Sequence, residues 1–272
     1  MPELPEVETI VQGLRPLLAG RRISYVAVHW PGVLGGLDPA DCAARLVGRR
    51  IGGIERRAKY IVITLDGGDA LLVHLRMTGR LTIGPATAPP EPHLRAALGL
   101  GEGDELRFAD MRKFGRLLVL SEDEARAALA KLGPEPLAEG FGVADLVRIL
   151  GRRRAPIKSA LLDQTALAGV GNIYADEALF HAGIHPRRPA ETLCEAEWRR
   201  LHAGVRRALA DGIEHGGTTF RSYRDSRGQA GSHQNSLNVY RRAGQPCPRC
   251  GGAVERITVG GRSSHYCPRC QT

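Results

Sequence analysis

The sequence predicts a multi-domain α+β protein: an N-terminal β-sandwich with flanking helices, then a helical domain, then a small cysteine-bearing hairpin. Three observations predict it. Short apolar stretches separated by Gly- and Pro-rich turns fill the first half, helical three-and-four spacing takes over between Gly133 and Gly217, and four of the six cysteines crowd into the C-terminal tail. At 272 residues the chain exceeds one average domain, so separate modules are expected.

Leu4, Val7, Ile10, Val11, Leu14, Leu17 and Leu18 recur at helical spacing and Pro5 suits a first turn, so residues 4–18 are expected to form an amphipathic helix. Strands are expected over residues 23–30, 60–65, 70–75, 105–108 and 116–120. Helices are expected over residues 143–150, 156–162, 173–181 and 195–215. Residues 216–236, rich in Gly, Ser, Thr, Arg and Gln, lack apolar periodicity and are long enough to read as a functional or mobile loop. No internal repeat recurs at a fixed period, which excludes a solenoid.

The chain carries 38 Lys+Arg against 29 Asp+Glu, a formal net charge of +9, which favours a polyanionic partner through counterion release. Charge alone leaves DNA, RNA and an anionic membrane open. No apolar run reaches bilayer length, and the N-terminus has acids and prolines where a secretion signal has a basic region and an apolar run. A cytoplasmic location is therefore expected.

Cys247-Pro-Arg-Cys250 and Cys267-Pro-Arg-Cys270, separated by sixteen residues, have the spacing of a four-thiolate zinc site. Four thiolates leave no open coordination position, so one structural Zn2+ is expected. Residues 167–177 run Leu-Ala-Gly-Val-Gly-Asn-Ile-Tyr-Ala-Asp-Glu, a turn between helices with Asn172 at the N-cap position. On spacing alone this is a capped interhelical turn, although free amides at such a helix start also grip phosphate.

Pro2 stands behind the initiator methionine, and its removal would expose a secondary amine able to attack a sugar C1′ and form a permanently cationic iminium. Glu3 beside it could act as acid or base, and the positive end of the following helix would lower the amine pKa. Without other context Pro2 and Glu3 are helix-start residues. Lys59, one of only four lysines, is the rival amine, or else an ordinary strand-edge charge.

Together the start MPELPEVE, RRAKY, HLRMTGRL, DMRKFG, LLDQTALAGVGNIYADEALF and GRSSHYCPRCQ resemble the formamidopyrimidine-DNA glycosylase family from end to end. The resemblance implies a sandwich domain over residues 1–132, a helix-two-turn-helix domain over 133–220, a lesion-covering loop and connector over 221–239, and a zinc finger over 240–272. It implies excision of 8-oxoguanine and formamidopyrimidines from damaged double-stranded DNA, followed by β,δ-elimination at the abasic site.

In that scheme Pro2 is the Schiff-base nucleophile, Glu3 the proton donor, Lys59 the aid to β-elimination and Arg262 the aid to δ-elimination. His93, Arg112 and Arg154 match family DNA-binding positions, with His74, Lys158 and Asn172 as further phosphate contacts. Met77, Arg112 and Phe114 match the wedge that fills the gap left by the everted nucleotide. The implied protein is a monomer without a small-molecule cofactor, acting on the nucleoid of a bacterial cytoplasm.

Three departures bear on the wedge and the finger: Arg76 and Arg241 stand where the family usually has glycine, and Met111 where it has proline. Two rival functions remain. The sister endonuclease VIII group, which prefers oxidised pyrimidines, typically begins MPEGPE, so Leu4 counts against it. A catalytically silent protein that binds abasic DNA would need only the basic surface and the finger.

Overall fold

Helix α1 (Leu4–Leu18) starts where extended backbone at Glu3 ends, with a proline in its first turn, where a missing N–H costs nothing. It buries Leu4, Val7, Ile10, Val11, Leu14 and Leu18 on one face. The computed structural model describes residues 1–272, the side chain of Glu102 aside. They divide into two compact units, residues 1–131 with 215–234, and residues 132–214 with 235–272.

In the first unit, β1 (Ile23–Val28), β5 (Gly79–Pro85), β6 (Leu94–Leu100) and β7 (Asp104–Asp110) form an antiparallel sheet in the order β1-β6-β7-β5. β2 (Ile51–Arg57), β3 (Tyr60–Leu65), β4 (Asp69–His74) and β8 (Arg116–Ser121) form the other, in chain order. Both sheets and α1 enclose one apolar core that includes Ile10, Leu14, Ile63, Val73, Leu81 and Phe108. Each such side chain contributes roughly 1.5–3 kcal/mol of transfer free energy. Two short helices, α2 (Pro39–Leu46) and α3 (Glu122–Leu129), complete this unit.

The second unit holds α4 (Val143–Leu150), α5 (Ile157–Leu162), α6 (Asn172–Ala182) and α7 (Glu195–Glu214), then the hairpin β9 (Glu255–Val259) and β10 (Arg262–Tyr266). Gly260 and Gly261 join β9 to β10 with positive φ of 55° and 73°, the signature of a two-residue hairpin turn.

The expected helix 4–18, strand 60–65 and helix 143–150 match the structure residue for residue. Strands β2, β5 and β6 and helices α2 and α3 were not expected. Leu94–Leu100 reads LRAALGL, a run of helix-forming and small residues, and it is a strand because β1 and β7 pair with it on both sides. Residues 215–220, expected with the helical domain, cluster with the sandwich, while the finger clusters with the helices.

Candidate active site and nucleic-acid interface

The first unit carries the N-terminal turn. Pro2 is buried and Met1 is about half exposed; while Met1 remains, the Pro2 nitrogen is an amide, and the amine appears only on its removal. Glu3, also buried, is the N-cap of α1, and its backbone N–H donates to Glu6 Oε2 at 2.7 Å. The second oxygen of the same carboxylate accepts from Thr218 N at 2.8 Å. Glu6 thus ties the N-terminal turn to the start of the 216–236 loop, a role sequence reading missed although Glu6 lies inside the MPELPEVE motif.

Lys59 lies between β2 and β3 and is only 7% exposed, which is unusual for a lysine next to a hairpin turn. Its neighbour Ala58 adopts φ 53°, in the left-handed region. His74, at the end of β4, packs edge-on against Tyr60 at 4.5 Å. Burial first, then the charges of Arg76 and Lys59, push its pKa down to about 3. His74 Nδ1 accepts from Arg76 N at 3.0 Å, so the proton sits on Nε2. His74 can therefore meet a phosphate as a neutral donor, not as a cation.

The three expected wedge residues come together. Arg112 Nη1 lies 3.0 Å from Met77 Sδ, and its guanidinium stacks 4.7 Å from the centre of the Phe114 ring. Met77 and Phe114 are 43% and 49% exposed, far more than large apolar side chains usually are. Buried Asp110 ties their two loops together: its carboxylate accepts from Gly115 N at 2.7 Å, Arg112 N at 3.2 Å and the Thr78 hydroxyl. It too went unnoticed in the sequence, although it opens DMRKFG. His93 is exposed on a separate shallow depression with His29, Glu91 and Arg95.

Five non-glycine residues have left-handed backbone: Ala58, Arg76, His93, Lys113 and Arg241. Such conformations cost on the order of 1–3 kcal/mol and persist where the surroundings enforce them, often at working sites. The first four are His93 itself or direct neighbours of Lys59, Met77 and Arg112. Arg76 (φ 52°) and Arg241 (φ 61°) occupy the glycine positions named above, so the turn geometry survives both substitutions. Met111 is 58% exposed, and nothing in the structure explains its replacement of proline.

The second unit corrects two expectations. Lys158 was expected on phosphate, but it is fully buried, its ammonium 2.6 Å from Asp176 Oδ1 and donating to the Ser263 carbonyl at 2.6 Å. Asp176 Oδ2 accepts from His265 N at 2.8 Å. Asn172 was expected as an N-cap; the N-cap is Gly171, and Asn172 opens α6 with Nδ2 donating to the Ser263 carbonyl at 3.0 Å. Lys158 and Asn172 therefore converge on Ser263 and hold the start of β10, next to Arg262.

Asp176→Ala should leave the Lys158 ammonium buried without its counter-charge, at a cost of about 3–5 kcal/mol. The melting temperature should fall by roughly 6–20 °C. The paired replacement Lys158→Met with Asp176→Leu should recover most of that loss in a thermal melt. A melt unchanged by Asp176→Ala alone would contradict the pair's structural weight.

Arg262 is exposed at the start of β10, and the Arg154 side chain is 91% exposed, 3.8 Å from Glu191. The Sγ atoms of Cys247, Cys250, Cys267 and Cys270 all lie within 4.8 Å of one another, with Cys250 to Cys267 at 3.4 Å and Cys247 to Cys270 at 4.0 Å. A tetrahedral Zn–S4 site with bonds of about 2.3 Å has S–S edges of about 3.8 Å, so this donor set fits zinc. Arg249 N donates to Cys247 Sγ at 3.4 Å.

Comparison with known proteins follows the same division. Residues 1–117 match the model of the formamidopyrimidine-DNA glycosylase N-terminal domain, 132–224 that of its H2TH domain, and 244–272 that of a zinc finger found in FPG and IleRS. The formamidopyrimidine-DNA glycosylase of Geobacillus kaustophilus is 47% identical, with both chains covered in full. That of Chloroflexus aggregans is 48% identical over 100% of this chain and 98% of its own.

Among solved structures, Lactococcus lactis Fpg bound to DNA containing an abasic site superimposes with a TM-score of 0.93 at 36% identity, covering 99% of each chain. MutM (FPG) from Thermus thermophilus gives a TM-score of 0.89 at 45% identity, over 99% of this chain and 98% of that one. No helix among the described residues is long and apolar enough to cross a membrane.

Proposed function

The chain belongs to the formamidopyrimidine-DNA glycosylase family and is a bifunctional base-excision repair enzyme, a glycosylase for oxidised purines and an abasic-site lyase; we propose that Pro2 carries both steps. The observation that carries the assignment is the N-terminal turn: Pro2 is held at the positive end of α1, next to a buried carboxylate, and becomes an amine on loss of one exposed residue. The positive helix end disfavours a protonated amine there, and the carboxylate stands ready to exchange protons with the reacting groups.

Pro2 nitrogen attacks C1′ and gives up its proton, the bond from C1′ to the base breaks, and the bond from C1′ to the ring oxygen O4′ then opens to leave an iminium, Glu3 supplying the proton that the departing base or O4′ takes up. The resulting iminium has no N–H to lose and withdraws electrons from C2′. Lys59 assists removal of the C2′ proton, after which the 3′ phosphate leaves; Arg262 assists the second elimination, which frees the 5′ phosphate and leaves a one-nucleotide gap. Met77, Arg112 and Phe114 fill the space of the everted nucleotide and offset part of a cost of a few kcal/mol. His93, Arg154 and neutral His74 contact the backbone of damaged duplex DNA, and residues 216–236 cover the everted base.

The cysteine cluster binds structural zinc, and we infer a single ion. The +9 charge supports DNA as the partner. Action as a monomer on chromosomal DNA of a bacterial cytoplasm is inferred from the bacterial relatives.

Borohydride trapping tests the scheme. Wild type on an 8-oxoguanine duplex should form a covalent adduct that peptide mapping places on residue 2; no adduct, or an adduct on Lys59, overturns it. One similar structure is Lactococcus lactis Fpg bound to DNA containing an oxidized pyrimidine, which supports a second reading with broader lesion choice. Parallel duplexes carrying thymine glycol decide it, and a strong preference for them would make the pyrimidine the principal substrate.

A further inference from the structure

The loop over residues 216–236 meets the sandwich unit at two places. At its entry, Thr218 N is held by Glu6 Oε1, and the buried Tyr223 hydroxyl lies 3.3 and 3.1 Å from the carbonyls of Glu6 and Gly216. Farther along, Ser226 is only 2% exposed, and its carbonyl accepts from Ile83 N at 3.0 Å. Ile83 lies on β5, the edge strand of its sheet, so the loop satisfies an edge donor there. Asp225 shapes the turn around Ser226, accepting from Arg227 N at 2.9 Å and Gln229 N at 2.8 Å.

Ser226 rests on Gly13 of α1. A Cβ placed on Gly13 would lie 2.2 Å from Ser226 Oγ and 3.3 Å from Ser226 Cβ. Gly13 is in the interior of a helix, where glycine costs about 1 kcal/mol relative to alanine, and its φ is not positive. The local backbone gives no reason for glycine. The loop does, because the missing side chain is the space that Ser226 fills.

We propose that Gly13 and Ser226 form a seat that pins the covering segment 218–226 at its far end, making both of them positioning residues for base recognition. The proposal rests on the reading that this loop covers the everted base. Held at both ends, the segment presents its backbone to the base in one arrangement; held only at Glu6, it samples many. An abasic site has no base to cover, so strand cutting there depends on the N-terminal turn and Lys59 and not on the seat.

The test uses Gly13→Ala in the full-length, zinc-loaded protein, with melting temperature as a control, since alanine favours the helix itself. Trypsin nicking at Arg221, Arg224 and Arg227, followed by mass spectrometry, reads the loop directly and should accelerate. Single-turnover excision of 8-oxoguanine should fall roughly 10- to 100-fold, the scale of a misplacement of about 1 Å. Cutting of a preformed abasic duplex should stay within about twofold of wild type. Adding Ser226→Ala removes the clashing oxygen and should restore both excision and resistance to trypsin.

Unchanged nicking with an unchanged ratio of excision to abasic cutting would overturn the seat, as would an equal fall in both rates without rescue. If wild type excises no 8-oxoguanine, the substrate reading fails, yet the nicking arm still decides the seat: faster cleavage supports it and unchanged cleavage overturns it.

Discussion

A protein that keeps one unprocessed residue ahead of Pro2 is expected to lose base excision and strand cutting by at least about 10⁴-fold, the order lost when a covalent nucleophile is removed. An amide nitrogen has its lone pair delocalised into the carbonyl and cannot attack C1′. The structure shows why the fold should not register the change. With Met1 in place, Pro2 is still buried, Glu3 still caps α1, and the Glu6 carboxylate still holds both Glu3 N and Thr218 N. Melting temperature and affinity for an abasic-analogue duplex should therefore match wild type. Single-turnover assays on an 8-oxoguanine duplex, with mass spectrometry confirming the N-terminus, would check this. Retained cutting by the extended protein would move the nucleophile elsewhere, with Lys59 as the first candidate.

Cys267→Ala should be nearly as severe, by a different route. Cys267 is fully buried and packs with Phe180, Val239, Cys247 and Val254 in a satellite core. An isolated two-stranded hairpin is marginal in water, so β9 and β10 depend on this cluster and on zinc. Structural zinc sites of this kind carry apparent binding free energies of about 10–16 kcal/mol near neutral pH. Without the fourth thiolate, zinc released on denaturation should fall from one equivalent to about none. Affinity for a lesion duplex should drop toward the non-specific level, on the order of 10³-fold. Full zinc content together with undiminished affinity would contradict a structural role.

What the sequence disclosed follows from how local each determinant is. Helix α1 could be read because its apolar stripe, its proline and its cap all lie within sixteen consecutive residues. The cysteine cluster could be read because spacing alone nearly fixes a tetrahedral site. Strand β6 could not, since its alanines become strand residues only by pairing with β1 and β7. The burial of Lys158 was equally hidden: its partners are Asp176, on the next helix, and the carbonyl of Ser263, 105 residues away. Glu6 shows the same limit, because half of what its carboxylate does concerns Thr218, 212 residues along. Motifs drew attention to the candidate reacting groups and passed over the groups that hold them.

One buried carboxylate decides where the finger really begins. Glu177 on α6 accepts backbone N–H bonds from Asn238, Val239 and Tyr240 and a side-chain bond from Asn238, all at 2.8–2.9 Å. Desolvation raises its pKa from the ordinary carboxylate range, while the four donors oppose that rise. The matched finger starts at residue 244, yet its mechanical root lies at 238–240, clasped by a helix more than sixty positions upstream. A finger grafted onto another scaffold at residue 244 would therefore carry its metal and its arginines but leave behind the clasp that sets where they point.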